Sequence, residues 1–233
     1  MVEPQIYIFE PEQRPAHTYI LDAAGLTYRP PGHAPAVVRW DAIRYLKDIP
    51  GQKVEIVIKD SATAIPLYYA TRNFAELLAG VCTPLADLHR EQIGVRTFSG
   101  RRSYLLHIGI VLGVFALLIG FSTIHFRQFT GAWLFILAMT VPMTVYLLLQ
   151  PHTVRTEDDH LEVRDFIRTR IIDYRRLRRL AFGLHGDKHT AYLCVKVLLA
   201  DGQTIKIQRF ENIVLLYIFI KTKWDTAHGR PGG

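Results

Sequence analysis

The stretch "VVRWDAIRYL", residues 37–46, decides the fold, because "IIDYRRLRRL" at 171–180 repeats its spacing. In each stretch an aromatic residue, Trp40 or Tyr174, is followed by aliphatic residues three and six positions later. A step of three does not fit a regular strand, in which side chains alternate with a period of two. We therefore predict, in the first stretch, a strand that breaks into a helical turn.

The sequence around the two stretches repeats as well. A short alternating strand comes before each of them, at 25–29 ("GLTYR") and at 160–164 ("HLEVR"). Two strands follow, joined by a turn at Asp60-Ser61 in the first half and at Asp201-Gly202 in the second; the Asp-Gly pair is a strong hairpin signal. The pattern indicates an internal repeat of antiparallel strands.

A helical pattern closes each half, at 71–88 and at 209–224. The first has apolar residues on one face only, at the spacing of a helix with a single buried stripe. These residues are Phe74, Leu77, Leu78, Val81 and Leu85. We expect this helix to cover the apolar face of a small sheet.

The second closing helix contains "IVLLYIFI", residues 213–220, which is apolar on every side. Since a small sheet covers only one stripe, the other side must meet a membrane surface, the other half of the chain or another protein. We predict a partner-docking helix. Its contact residues are Ile213, Leu216, Tyr217 and Ile220.

Two long apolar runs, at about 104–124 and 131–150, separate the halves. Each has the roughly 20 residues that a helix needs to cross a bilayer. The flanking arginines place both termini on the cytoplasmic side by the positive-inside rule. We predict a two-helix transmembrane hairpin in a bacterial inner membrane, with Gly109 and Gly113 as a close-packing motif for the hairpin itself or for another membrane protein.

Positive charge is concentrated in the second half of the chain. Residues 101–233 hold 18 basic and 10 acidic residues, and the whole chain has a net charge of +7. The densest cluster consists of Arg168, Arg170, Arg175, Arg176, Arg178 and Arg179. It predicts either contact with anionic lipid or an acidic partner, or a solvated face that pairs internally with Glu157, Asp158, Asp159 and Asp165. Nucleic acid is not expected as a partner.

The sequence contains no catalytic motif and no Cys/His cluster of the kind that binds zinc; "EDDH" (157–160) and "HGDKH" (185–189) could hold a cation, but a solvated charge run and a polar turn are the favoured interpretations. There is no zinc-protease, nucleophile-elbow, P-loop or dinucleotide motif. The two cysteines, Cys82 and Cys194, are far apart and are expected to be small buried apolar residues. We predict no catalytic residue, no cofactor and no metal.

The order of strands, helical turn, hairpin and closing helix resembles the bacterial pleckstrin-homology-like domains. Trp40-Asp41-Ala42-Ile43 is similar to the W-x-x-I step of that family, although Tyr174 replaces the tryptophan in the second copy. The resemblance implies a bent antiparallel sheet closed by a C-terminal helix, in domains that often flank a transmembrane hairpin. It also implies a role in assembling complexes or in oligomerisation rather than an enzymatic one.

The predicted fold class is therefore an α+β membrane protein. Its parts are a PH-like domain at 1–96, the hairpin at 97–152, a second PH-like domain at 153–226 and a disordered tail at 227–233. The predicted function is a non-enzymatic inner-membrane scaffold, or an assembly or accessory subunit, whose partner is another membrane protein, a further copy of the chain or anionic lipid. Two alternatives stay open: a subunit of a membrane enzyme acting on lipid or polysaccharide, and a lipid sensor.

Overall fold

A computed structural model of the chain describes residues 4–9, 16–88, 94–100, 148–186 and 191–229, with isolated positions between 106 and 146. These residues form fourteen strands in four antiparallel sheets, with two α-helices. The described chain is therefore predominantly β-structure.

The first half contains a four-stranded sheet and then a three-stranded sheet. The first sheet has the order β1 (Gln5–Phe9), β2 (His17–Leu21), β3 (Gly25–Arg29) and β4 (Ala36–Arg39). The second has the order β5 (Ile43–Ile49), β6 (Lys53–Ile58) and β7 (Ala64–Tyr68), and helix α1 (Phe74–Leu88) follows.

The second half contains the same order of elements. Its four-stranded sheet is built from β8 (Arg96–Ser99), β9 (Thr153–Thr156), β10 (His160–Arg164) and β11 (Thr169–Asp173). Its three-stranded sheet has β12 (Leu177–His185), β13 (Tyr192–Leu199) and β14 (Thr204–Gln208), and helix α2 (Ile213–Ala227) follows. Strands β8 and β9 are paired neighbours, although most of the apolar segment lies between them in sequence.

The break predicted in the first of the two opening stretches is confirmed, and the second stretch has the same break. A single 3-10 turn joins β4 to β5 at Trp40–Ala42 and β11 to β12 at Tyr174–Arg176. Both aromatic side chains are buried. The indole N–H of Trp40 donates to the carbonyl of Asp22 at 3.2 Å, and the Asp173 carboxylate accepts from the Arg175 N–H at 2.7 Å. The turn carries the chain from one sheet to the next while its aromatic residue stays in the core.

The predicted hairpin turns and closing helices are also present. Asp60 and Gly202 have positive φ angles of 56° and 84° in the turns between β6 and β7 and between β13 and β14. All five residues predicted for the buried stripe of α1 are buried, and so are Cys82 and Cys194. Alternation of apolar residues and turn chemistry were therefore sufficient to predict these elements.

The two halves pack together through their helices. Helix α1 contacts β12 of the second half, helix α2 contacts β5 of the first half, and the helices contact each other. The Thr222 hydroxyl on α2 lies 3.4 Å from the carbonyl of Ala86 on α1. A backbone bond from the Gly51 N–H to the carbonyl of Ala191, at 2.7 Å, joins the halves at another point. One continuous apolar core results.

The membrane predictions need correction. None of the helices formed by the described residues has the length and apolar character to cross a membrane. Helices α1 and α2 have 15 residues each, or about 22 Å at 1.5 Å per residue, against a hydrocarbon core of about 30 Å. Most of the two predicted spans, 104–124 and 131–150, lies outside the described residues.

For the part of the chain that the structure describes, the fold class of an α+β membrane protein with a transmembrane hairpin is therefore wrong. The two-span integral membrane partnership and the inner-membrane localisation, with both termini on the cytoplasmic side, depended on that hairpin and are corrected with it. The number of consecutive apolar residues can be taken from the sequence. A membrane span also requires that these residues form one uninterrupted helix.

Candidate functional site

The six predicted arginines lie on consecutive elements of the second half, from the β10–β11 turn to β12, and we call this set the arginine surface. Arg168 is in the β10–β11 turn and Arg170 is on β11. The 3-10 turn contributes two more, and β12 contributes the last two. Arg170 is half-buried, and the other five are exposed. These five are Arg168, Arg175, Arg176, Arg178 and Arg179. The structure thus places the whole cluster where a partner has access to it.

Two of these arginines are held by one buried carboxylate. The side chain of Asp165 is only 3% exposed, and it accepts the backbone N–H groups of Ile167 at 2.9 Å and Arg168 at 2.7 Å. The guanidinium groups of Arg168 and Arg170 lie 3.4 Å and 3.8 Å from the same carboxylate. Asp165 therefore organises the β10–β11 turn, and these two arginines contribute to the fold.

Burial acts to raise the pKa of Asp165, but the hydrogen bonds from the Arg168 and Ile167 backbones and the Arg168 side chain outweigh it, so the pKa is lowered. Because its pKa is lowered by folding, the Asp165 carboxylate stabilises the fold at pH values above its pKa in the unfolded chain, about 3.9. This stabilisation is lost as the pH falls through the lower pKa that Asp165 has in the folded protein.

We therefore expect Asp165→Asn to cost about 1 kcal/mol at pH 7, since the amide accepts the two N–H bonds without a charge. The difference from wild type should shrink in acid, below about pH 3.9. Urea denaturation across a pH series measures it. Asp41→Asn is the matched control, because Asp41 is an exposed carboxylate paired with Arg39. A pH-independent difference for Asp165→Asn would contradict the prediction.

The remaining arginines have few internal partners. Arg176 lies 3.5 Å from Asp201 in the β13–β14 turn. Among the described residues, no carboxylate pairs with the side chains of Arg175, Arg178 or Arg179. These three cations are therefore available to a ligand.

Three of the four acidic residues expected to neutralise the cluster pair elsewhere. Glu157 pairs with Arg155, Asp158 with Lys223 on α2, and Asp159 with His160. Of the four, only Asp165 meets the arginine cluster. Internal pairing therefore explains Arg168 and Arg170. None of these four acids neutralises the arginines of the 3-10 turn or of β12.

Apolar side chains are exposed beside the arginines. Phe166, Ile167 and Ile171 are 48%, 65% and 67% exposed. Phe166 also stacks on the ring of His152, with centroids 4.4 Å apart. Strand β11 has a strand neighbour, β10, on only one side within the described sheet. The surface therefore combines cations, apolar groups and a sheet edge, and edges of this kind are templates for pairing with another chain.

The predicted docking helix is buried inside the chain. Its four contact residues, Ile213, Leu216, Tyr217 and Ile220, are at most 3% exposed. Tyr217 stacks on Phe182 of β12 with centroids 3.9 Å apart, and burial, with smaller effects of Cys82 and Asp225, raises its pKa well above the usual value. Helix α2 thus meets strands of its own half as well as α1 and β5 of the first half, and these four residues are buried among the described elements.

Gly109 and Gly113, the predicted close-packing motif, are exposed. Apart from their chain neighbours and the backbone of their own helix, no described atom lies within 4 Å of the position that a Cβ would occupy on either. Described apolar side chains nearby are exposed as well. They include Leu106, Ile110, Val114 and Leu117. The structure brings neither glycine against another described element.

The described residues contain no recognisable catalytic constellation. His107 and His189 lie outside them, while His152 and His185 are on separate elements. No group of three or more histidine, cysteine or acidic side chains among the described residues is placed to hold a metal ion. The arginine surface is therefore the strongest candidate site on chemical grounds.

Sequence reasoning did not identify a second set of cations, Arg44 and Arg96, which line a cleft between the halves. They are far apart in sequence, and no local motif links them. Only a prediction of how the two halves pack would have brought them together.

No known protein-family model matches the chain, and no curated protein matches it significantly.

Proposed function

We propose that this protein is a non-enzymatic scaffold that binds an acidic protein surface through the arginine surface. The observation that carries the proposal is the exposure of Arg175, Arg178 and Arg179 without an internal carboxylate among the described residues. An arginine presents five donors in a planar fork that matches a carboxylate, so a cluster of three favours a partner rich in Asp and Glu.

The apolar residues beside the arginines favour a protein partner. Phe166, Ile167 and Ile171 expose large apolar areas next to Arg168 and Arg170. Protein interfaces combine apolar or aromatic anchors with arginine and a polar rim. In the described sheet, the outer edge of β11 adds backbone donors and acceptors that an extended segment of a partner can pair with.

The packing of the two halves supports a scaffold role. The helices bury the apolar area between the halves, which holds the sheets in one relative position. A fixed frame lowers the entropy cost of binding through a charged surface. The resemblance to pleckstrin-homology-like domains stays a prediction, which the order of sheets and helix in each half supports.

The test uses a synthetic peptide that alternates glutamate and leucine, measured by fluorescence anisotropy with the full chain. We expect saturable binding that weakens with added salt. The triple variant Arg175→Gln, Arg178→Gln, Arg179→Gln should bind about tenfold or more weakly, since three charge-assisted contacts are lost. The same peptide with lysine in place of glutamate should not bind.

A matched control removes equal charge from the first half: Arg29→Gln, Arg39→Gln, Lys47→Gln, all at exposed positions. Its affinity for the peptide should stay close to that of wild type. An equal loss in both triple variants would show a general charge effect and contradict the proposal. Binding to phosphatidylglycerol vesicles that exceeds peptide binding, and depends on the same arginines, would favour the lipid-sensor alternative instead.

A further inference from the structure

A cleft at the junction of the two halves offers a second binding site, distinct from the arginine surface. Its volume is about 220 Å³, and β5, α1, β8 and α2 contribute to its walls. The apolar part of the lining includes Leu46, Leu85, Leu215 and Ile218. The cleft therefore exists only when both halves are packed together.

Arg96 supplies a cation whose position is held by aromatic rings. Its guanidinium carbon lies 5.7 Å from the ring centroid of Phe98 and 5.6 Å from that of Phe219. The two rings meet edge to face with centroids 5.4 Å apart. A cation–π contact restrains the guanidinium group without neutralising its charge. The group is thus oriented in advance for an anion.

Arg44 supplies a second cation in the same lining. It is exposed, as is Arg96, and neither guanidinium group has a carboxylate partner in the described part of the chain. No aspartate or glutamate is present among the described residues that line the cleft. Two uncompensated guanidinium groups beside apolar walls attract an oxyanion that carries an apolar body.

We propose that this cleft binds a small amphipathic carboxylate. Its head group contacts Arg44 and Arg96, and its aliphatic body lies along Leu46, Leu215 and Ile218. The cleft, with a volume of about 220 Å³, suits a small ligand with a short aliphatic chain. The site goes beyond the proposed scaffold function, because it shares no residue with the arginine surface.

Octanoate is the probe, added to the full chain labelled on its leucine and isoleucine methyl groups and followed by NMR titration. We expect saturable shifts of Leu46, Leu215 and Ile218. Octanol should bind about tenfold or more weakly, because it lacks the charge that the guanidinium groups recognise. Inorganic phosphate should also bind weakly, because it lacks the apolar body.

The variants Arg44→Gln and Arg96→Gln should each weaken octanoate binding by about tenfold. Arg39→Gln is the matched control, since Arg39 is exposed, pairs with Asp41 and does not line the cleft. Its affinity for octanoate should be unchanged. Since Arg96 also packs on two rings, Leu215→Phe provides a variant that keeps both cations while filling the cleft, and it should abolish binding.

Each contrary result overturns the proposal. These results are absence of saturable octanoate binding, equal binding of octanol, or phosphate binding as tight as that of octanoate. Wild-type affinity in Arg44→Gln and Arg96→Gln would also overturn it. If Arg96→Gln does not fold, Leu215→Phe decides the question, because unchanged affinity in that variant places the ligand outside the cleft.

Discussion

Replacing Tyr217 by alanine should lower the free energy of unfolding by about 3–5 kcal/mol, the range for removing a large buried aromatic side chain. The ring is 3% exposed and stacks on Phe182. Because α2 packs against both halves, the cavity left by the ring should destabilise both of them together.

Two of the three tryptophans make that coupling measurable. Trp40 is buried in the first half and Trp224 in the second. Labelled with 5-fluorotryptophan, each gives a separate fluorine resonance, so urea unfolding is followed at both places in one sample. In wild type the two resonances should change at one midpoint. In Tyr217→Ala both midpoints should fall by the same amount, about 1 M or more for a loss of this size.

Tyr217→Phe is the matched control, since it keeps the ring and its stacking on Phe182 and should retain most of the stability. A midpoint that falls for Trp224 while that of Trp40 stays in place would mean that the halves unfold independently. That result would contradict the single core described above.

Replacing Gly25 by alanine should destabilise the protein by about 2–3 kcal/mol, at the upper end of the usual cost of overpacking. A Cβ at this position would lie 2.2 Å from the carbonyl oxygen of Val38 and 2.9 Å from its carbon. Both are backbone atoms of β4, which pairs with β3 in the register Gly25 to Arg39. A side chain turns away from a clash, but paired backbone moves only if the pairing is disturbed.

Thermal and urea denaturation measure this change directly. Gly94→Ala is the control, because no described atom other than those of its chain neighbours lies within 4 Å of its added Cβ. That variant should be neutral or slightly stabilising, since alanine restricts the unfolded chain. Equal stabilities of the two variants would show that β3 and β4 separate easily and that the close approach at Gly25 is unimportant.

The sequence predicted local elements better than it predicted their environment. The 3-10 turns at Trp40 and Tyr174, the hairpin at Asp201-Gly202 and the buried stripe of α1 all follow from side-chain period and turn chemistry. These features depend on residues that are close along the chain. The membrane hairpin was inferred from apolar length alone, and the described residues form no helix that can cross a membrane.

The candidate sites divide in the same way. The arginine surface was visible as a run of charges, but only the structure shows that Asp165 holds Arg168 and Arg170 while Arg175, Arg178 and Arg179 stay uncompensated among the described residues. No pattern in the sequence indicates that Arg44 and Arg96 line the same cleft.

By itself, the sequence determined the approximate positions of the hairpins and of the closing helices, because those choices depend on backbone preferences and on side chains a few positions apart. Only the tertiary structure decided which apolar faces meet. It showed that α2, apolar on all sides, is covered by α1 and β5 of the other half. The physical reason is that hydrophobic burial is favourable against any apolar surface of suitable shape, so an apolar helix does not specify its own partner.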